Sequence, residues 1–125
     1  VVADYDEAIS FYIGKLGFTL QEDTAVSPTK RWVVLAPPEY TEGGCRLLLA
    51  KAADEKQAAA IGNQTGGRVF LFLYTSNFIE TYNRLLANQV NFIRQPQAEP
   101  YGTVAVFEDL YGNLWDLIEP YKTPR

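Results

Sequence analysis

The chain has 125 residues, 47% of them hydrophobic, with a net charge of −4 and a single cysteine. Its acidic balance and lack of Lys and Arg clusters argue against nucleic acid as a partner, and its apolar runs are far shorter than the roughly 20 residues of a membrane span. A length of about 100 to 150 residues is enough for one hydrophobic core. The composition therefore predicts a soluble single domain, and the unpaired Cys45 indicates a reducing, cytoplasmic location.

Two helices with matching caps are predicted along the chain. Val1 and Val2 are predicted to end a strand, after which Asp4 caps the first helix. The apolar residues of that helix fall on one face: Tyr5, Ile9, Tyr12 and Ile13. Gly17 is predicted to end it, because glycine tolerates positive φ. Asn77 begins a second helix with the same apolar spacing, so residues 4 and 77 define a repeat interval of 73 residues.

Strands are predicted at equivalent places in the two halves: 17–22, 31–36 and 46–51 after the first helix, 69–74 before the second, and 90–94, 103–109 and 114–119 after it. The loop at 37–43 is five residues longer than its counterpart at 110–111, so the repeat interval falls from 73 to 68. Each half therefore reads β-α-β-β-β. This pattern predicts an α+β fold of one domain, with a first module at 1–53, a linker at 54–67 and a second module at 68–125. Asp54 is predicted to cap a short linker helix over 55–61, which Gly62 ends.

Three segments are distinctive: the helix D-Y-D-E-A-I-S-F-Y at 4–12, its L-G-F exit at 16–18, and the hairpin D-L-Y-G-N-L-W-D-L at 109–117. Together with the tandem β-α-β-β-β repeat, they resemble the vicinal oxygen chelate superfamily, which includes glyoxalase I, bleomycin-resistance proteins and extradiol dioxygenases. The resemblance implies tandem βαβββ modules that form a curved mixed sheet around a cavity, often completed by the second subunit of a homodimer. For the enzymes of the superfamily it also implies a divalent metal on four ligands, from the first and last strands of each half.

The implied metal positions lack suitable side chains in this sequence. Three of them correspond to Leu48, Phe70 and Asp116, and the fourth would precede Val1. Only Asp116 offers an oxygen donor, whereas a catalytic metal normally needs about three protein ligands. The sequence therefore predicts no metal site and no other cofactor.

An aromatic stripe is predicted in place of the metal. Alternation in the strand at 69–74 places its aromatic residues on one face and its aliphatic residues on the other. The same alternation is applied to the strands at 46–51 and 114–119, which are equivalent in the two halves, and the loop that contains Tyr101 is added. The predicted ligand-binding residues are then Arg46, Leu48, Phe70, Phe72, Tyr74, Tyr101, Leu114 and Asp116. An apolar surface with few polar groups is typical of small-molecule sites, although the aromatic rings would equally serve to fill a core. Asp116 is the only catalytic candidate; burial would raise its pKa unless a cation, with Arg46 the candidate, pairs with it.

Three functions remain open at this point. The first is a metal-free protein that binds a small aromatic or amphipathic molecule in a hydrophobic cavity, as bleomycin-resistance proteins of the superfamily do. The second is a metal-dependent lyase or dioxygenase whose ligands lie elsewhere in the chain, so enzymatic activity stays undecided. The third is an interaction module whose cavity is filled by its own side chains. The lost ligands and the aromatic stripe favour the first, with a small molecule and a second copy of the chain as partners, and neither nucleic acid nor membrane.

Overall fold

A computed structural model describes residues 1–121, and the last four residues of the predicted second module lie outside the described residues. The helices are α1 (Tyr5–Gly14), α2 (Glu55–Ala59) and α3 (Phe78–Ala87). The strands are β1 (Thr19–Ala25), β2 (Arg31–Ala36), β3 (Leu47–Leu49), β4 (Val69–Tyr74), β5 (Phe92–Glu99), β6 (Gly102–Glu108) and β7 (Leu114–Pro120). No helix within this part of the chain is long and apolar enough to cross a membrane.

The strands form two sheets, one from each half of the sequence. The first sheet has the order β1-β2-β3 and the second the order β4-β7-β6-β5. All pairs are antiparallel except β4 and β7. A parallel pair needs a long connection, and α3 with two further strands supplies it. The predicted α+β fold with tandem βαβββ modules is confirmed.

The internal repeat extends to individual hydrogen bonds. The Val2 amide donates to the Ala50 carbonyl over 2.8 Å, and the Thr75 amide donates to the Ile118 carbonyl over 2.9 Å. The two donors lie 73 residues apart in the sequence, and the two acceptors lie 68 residues apart. These separations equal the two repeat intervals. Val2 also pairs in parallel with Lys51, as β4 pairs with β7. The beginning of the chain therefore occupies in the first module the place that β4 has in the second.

The three predicted helix caps are confirmed. The side chains of Asp4, Asp54 and Asn77 each accept a hydrogen bond from the backbone N–H three residues later, at 2.8, 2.8 and 3.2 Å. Each bond satisfies a donor that the first helical turn leaves free. After α1, Gly17 adopts a φ of 81°, and the next amide donates back to the Tyr12 carbonyl over 3.0 Å. This is the glycine-dependent helix end that the sequence predicted.

One hydrophobic core joins the inner faces of the two sheets. The Phe18 ring of the first module lies 6.1 Å from the Trp115 ring of the second, and Phe107 stacks on Trp115 at 6.0 Å. The same core receives alternate residues of both sheets: Val33, Leu35, Leu49, Leu73, Ala105, Phe107, Trp115 and Leu117. Because side chains alternate along a strand, the opposite face of each sheet points away from the shared core. These two faces are called the first and second outer faces below.

Three strands differ from their predicted bounds by two or more residues at one end or both. β1 lies two to three residues later than predicted, and β3 covers only three residues of the predicted 46–51. β5 continues five residues beyond its predicted end at Arg94, although it contains Pro96. Proline lacks a backbone donor, but β5 is an edge strand with register shifts on both sides of Arg94. At such a position the missing N–H breaks no ladder hydrogen bond.

Candidate functional site

The sequence segments that resemble superfamily motifs bind one another. The Tyr12 hydroxyl of α1 donates to the Asp109 carboxylate over 2.7 Å, and the Tyr111 hydroxyl donates to Glu7 over 2.9 Å. Burial, reinforced by the charge of Asp109, raises the pKa of Tyr12 far above its ordinary value, so the hydroxyl remains a donor. Asp109 and Asn113 are buried and hydrogen-bonded to each other. These motif residues stabilise the fold, and the site has to be sought on the outer faces.

A mixed row of side chains crosses the second outer face. The strand registers place Phe72 of β4 beside Asp116 of β7, Asp116 beside Val106 of β6, and Val106 beside Arg94 of β5. Paired residues of neighbouring strands point to the same side of a sheet. The row therefore presents an aromatic ring, a carboxyl group, an aliphatic group and a guanidinium group in order across four strands.

A second row beside it is apolar over most of its length. It contains Tyr74, Ile118, Val104 and Gln97, paired in the same way. Tyr74 and Phe72 are 56% and 55% exposed, and their rings meet edge to face at 6.2 Å. Ile118 and Val104, between the ends of the row, are buried. The face thus combines a closed aliphatic floor with accessible aromatic rings, and exposed apolar patches of this kind are typical of binding surfaces.

Asp116 is only partly exposed to water on this face. Desolvation raises its pKa above the ordinary value of 3.8, and the positive charge of Arg94 partly opposes the rise. Arg94 also lies 4.0 Å from the Glu99 carboxylate. The predicted partner Arg46 instead donates to Gln21 of the first sheet over 3.4 Å, so the expected cation near Asp116 is Arg94, which acts on its pKa through charge, and not Arg46. Arg94 was not predicted from the sequence, because a register shift between residues 92 and 94 decides which face it joins.

Replacing Arg94 by glutamine is expected to raise the pKa of Asp116 further, because the substitution removes an opposing charge and leaves desolvation in place. Arg46→Gln removes an equal charge from the first sheet and is the matched control, for which no change is expected. A carbon-13 NMR titration of the Asp116 carboxyl group measures the pKa in both variants. An equal rise in the two would contradict the role of Arg94.

The remaining predicted residues do not share one cavity. Leu48 lies on the first outer face and lines a cavity of 720 Å³. Arg46 and Phe72 line a groove of 150 Å³, whereas Tyr74 borders a separate cavity of 430 Å³. Tyr101 is exposed at the turn between β5 and β6. Within one chain, the predicted residues are therefore spread over both outer faces, the groove between the modules and the β5–β6 turn.

Leu114 and Phe70 lie at the two sides of a β-bulge. Leu114 pairs with Val69, but the next pair joins Leu71 to Trp115, so one residue of β4 has no partner. The Phe70 ring consequently lies edge-on to Trp115 of the core at 6.3 Å, instead of continuing the stripe of Phe72 and Tyr74. A bulge adds one residue to one strand and reverses the alternation beyond it. The strict alternation predicted for 69–74 is therefore wrong at Phe70.

The residues at the implied metal positions do not fit a divalent cation. Leu48 and Phe70 have no donor atom, and the row neighbours of Asp116 on both sides are Phe72 and Val106. Within residues 1–121, no three His, Cys, Asp or Glu side chains are grouped so that they could hold a metal ion. A single carboxylate falls short of the roughly three protein ligands of a catalytic metal.

Comparisons with known proteins agree with the fold and its motifs. The family model of the Glyoxalase/Bleomycin resistance protein/Dioxygenase superfamily matches residues 1–117. An uncharacterized protein of Shewanella frigidimarina (strain NCIMB 400) is 58% identical over 120 residues, which cover 95% of this chain and 87% of that protein. The uncharacterized protein YurT of Bacillus subtilis (strain 168) is 33% identical, with coverage of 94% and 92%.

Solved structures show the same relationship. The crystal structure of UcmS2 matches with a TM-score of 0.78 and 32% identity, covering 94% of this chain and 90% of that one. TnmS3, an antibiotic binding protein from Streptomyces sp. CB03234, matches with a TM-score of 0.74 and 27% identity over 96% and 89%. With its tandem modules, its interlocked motifs and this family match, the chain belongs to the Glyoxalase/Bleomycin resistance protein/Dioxygenase superfamily.

Proposed function

We propose that the chain binds a small aromatic or amphipathic molecule, without a metal, on the second outer face. The observation that carries the proposal is the pair of rings of Phe72 and Tyr74, both more than half exposed, beside the desolvated carboxyl group of Asp116. An apolar surface with one or two polar groups recognises ligands of this type, because the rings contribute contact area and the polar groups fix orientation.

The chemistry of the face supports binding more strongly than catalysis. Asp116 can accept a hydrogen bond from a ligand N–H or O–H group, and the partial burial that raises its pKa also strengthens such a bond. The aliphatic floor formed by Val104 and Ile118 supplies no further reactive group. Support also comes from TnmS3, which is an antibiotic binding protein with the same fold. Antibiotics of the aromatic or amphipathic type are therefore the first compounds to test.

The proposed site includes a second copy of the chain. The two outer faces point away from a common core, so one chain cannot close both over the same ligand. Trp32 and Leu48 on the first outer face are 44% and 46% exposed, like the rings on the second. A two-fold symmetric pair would bring the first outer face of each subunit against the second outer face of the other. The symmetry produces this contact twice, so the exposed apolar side chains of all four faces would be covered. We propose a homodimer with two such cavities.

Replacing Phe72 by alanine is expected to weaken binding of a neutral aromatic amine, N-phenyl-1-naphthylamine, about ten-fold, because a large ring contact is lost. Asp116→Ala is expected to weaken it about five-fold, because the amine loses its acceptor. Calorimetric titration measures both, with bleomycin as a second probe. Ile79→Ala removes an apolar side chain that is exposed on α3 and should leave binding unchanged.

The same samples are examined by sedimentation, for which a dimer is expected. If the wild-type protein bound neither probe, or if Phe72→Ala and Ile79→Ala behaved alike, the second outer face would not be the binding site. If the protein were a monomer at all concentrations and still bound the probe, the proposed homodimer would be wrong. The second outer face would then stand as the binding site of a single chain.

A further inference from the structure

A cavity of 720 Å³ lies at the end of the first sheet, where β2 begins and β3 ends, and includes Trp32 and Leu48 of the first outer face. The chain carries a net charge of −4, yet among the described residues three cationic side chains and no acidic ones line this cavity, namely Lys30, Arg31 and Lys51. Its apolar wall includes Trp32 and Leu48, which are nearly half exposed. A cationic rim around an aromatic wall is complementary to a planar molecule that carries an acidic group.

The two lysines, rather than the arginine, hold the available charge. The Arg31 guanidinium contacts the carboxylates of Asp6 at 2.9 Å and Asp23 at 2.6 Å, so its charge is already compensated. Within residues 1–121, neither Lys30 nor Lys51 forms an ion pair. An anion that enters the cavity would therefore meet two ammonium groups that are not paired with the carboxylates of Asp6 and Asp23.

Ordered backbone holds both lysines at the cavity. The Ser27 hydroxyl accepts hydrogen bonds from the amides of Thr29 and Lys30 at 3.3 and 3.1 Å, and the Lys30 carbonyl accepts from the Val26 amide at 2.8 Å. These bonds fix the turn between β1 and β2. Lys51 follows β3 and is fixed by its parallel bridge to residue 2. The cations therefore lie on defined segments, which lowers the entropy lost when a ligand binds.

We infer that this cavity binds the anionic end of an amphipathic aromatic ligand. The ring system packs on Trp32 and Leu48, and a carboxylate, sulfonate or phosphate group is held by Lys30 and Lys51. The inference rests on the proposed function, because the proposed dimer places Trp32 and Leu48 of the first outer face against the second outer face of the other subunit. It narrows the ligand class from aromatic molecules in general to aromatic acids.

Two probes that differ in one group test the inference. 1-Anilinonaphthalene-8-sulfonate carries a sulfonate, and N-phenyl-1-naphthylamine is the same ring system without it. In the double variant Lys30→Gln and Lys51→Gln, the Kd of the sulfonate is expected to rise about five-fold, because exposed charge contacts are individually weak. The Kd of the neutral probe should not change. Lys56→Gln removes an exposed charge from α2, outside the cavity, and should affect neither probe.

The binding position is read from the two tryptophan indole signals in a proton–nitrogen NMR spectrum. The signal of exposed Trp32, assigned with Trp32→Phe, is expected to shift when the sulfonate probe is added, whereas the signal of buried Trp115 should stay in place. Equal sensitivity of both probes to the lysine substitutions, or an unshifted Trp32 signal, would overturn the inference and leave the proposed function standing. Failure of both probes to bind would overturn both.

Discussion

Replacing Asp109 by alanine is expected to lower the free energy of unfolding by about 3 to 5 kcal/mol. The buried carboxylate accepts four hydrogen bonds: from the Tyr12 hydroxyl, from the Tyr111 and Asn113 amides, and from the Asn113 side chain, at 2.7 to 2.9 Å. Its removal leaves the Tyr12 hydroxyl and the two Asn113 donors without partners in the buried interior, and it removes the acceptor of the part-buried Tyr111 amide. Urea unfolding followed by circular dichroism measures the loss.

Two further variants separate the buried network from a general effect of losing a carboxylate. Glu108→Ala removes the neighbouring carboxylate, whose hydrogen bond to Asn91 is exposed, and should cost less than about 1 kcal/mol. Tyr12→Phe removes one of the four bonds to Asp109 and should cost about 1 to 2 kcal/mol. If Asp109→Ala were no more harmful than Glu108→Ala, the contact between α1 and the β6–β7 hairpin would not stabilise the fold as described.

Replacing Gly62 by alanine is expected to lower the free energy of unfolding by about 3 kcal/mol or more. Gly62 follows α2 with a φ of 77°, and an added Cβ would overlap the carbonyl oxygen of Tyr111. That oxygen belongs to the same hairpin that binds α1, so neither backbone can move without disturbing the core. Urea unfolding again gives the magnitude.

Gly66 provides the matched control for this close approach. It has a similar φ of 70°, but no atom of residues 1–121 lies within 4 Å of an added Cβ. Gly66→Ala therefore introduces only the strain of a left-handed residue, about 1 kcal/mol. The difference between the two variants isolates the overlap at Gly62, and equal losses would show that backbone conformation alone accounts for both.

The fold was predictable because its signals are local. Asp4, Asp54 and Asn77 cap helices through hydrogen bonds that span three residues, and Gly17 ends α1 through its own φ. The repeat intervals of 73 and 68 residues predicted which segments are equivalent. Nothing in these features depends on distant parts of the chain, so spacing and residue type were sufficient.

The site was predictable only in part, because faces depend on register. Phe72, Tyr74 and Asp116 fell on one face as expected, since no bulge separates them. Phe70 was misplaced by a bulge in β4, and Arg94 was missed beyond a bulge in β5. A single inserted residue reverses which side chains face outward, and the sequence of one strand does not show how its neighbour pairs with it.

The sequence by itself determined the α+β class, the two modules, the helix caps and the lack of donors at Leu48 and Phe70. Those properties follow from residue type and local spacing. Only the tertiary structure decided that Asp109 and Tyr12 interlock, that Arg94 rather than Arg46 influences Asp116, and that the two outer faces point away from one core. These contacts join residues far apart in the chain, and their geometry is set by packing and strand register, which local sequence patterns do not encode.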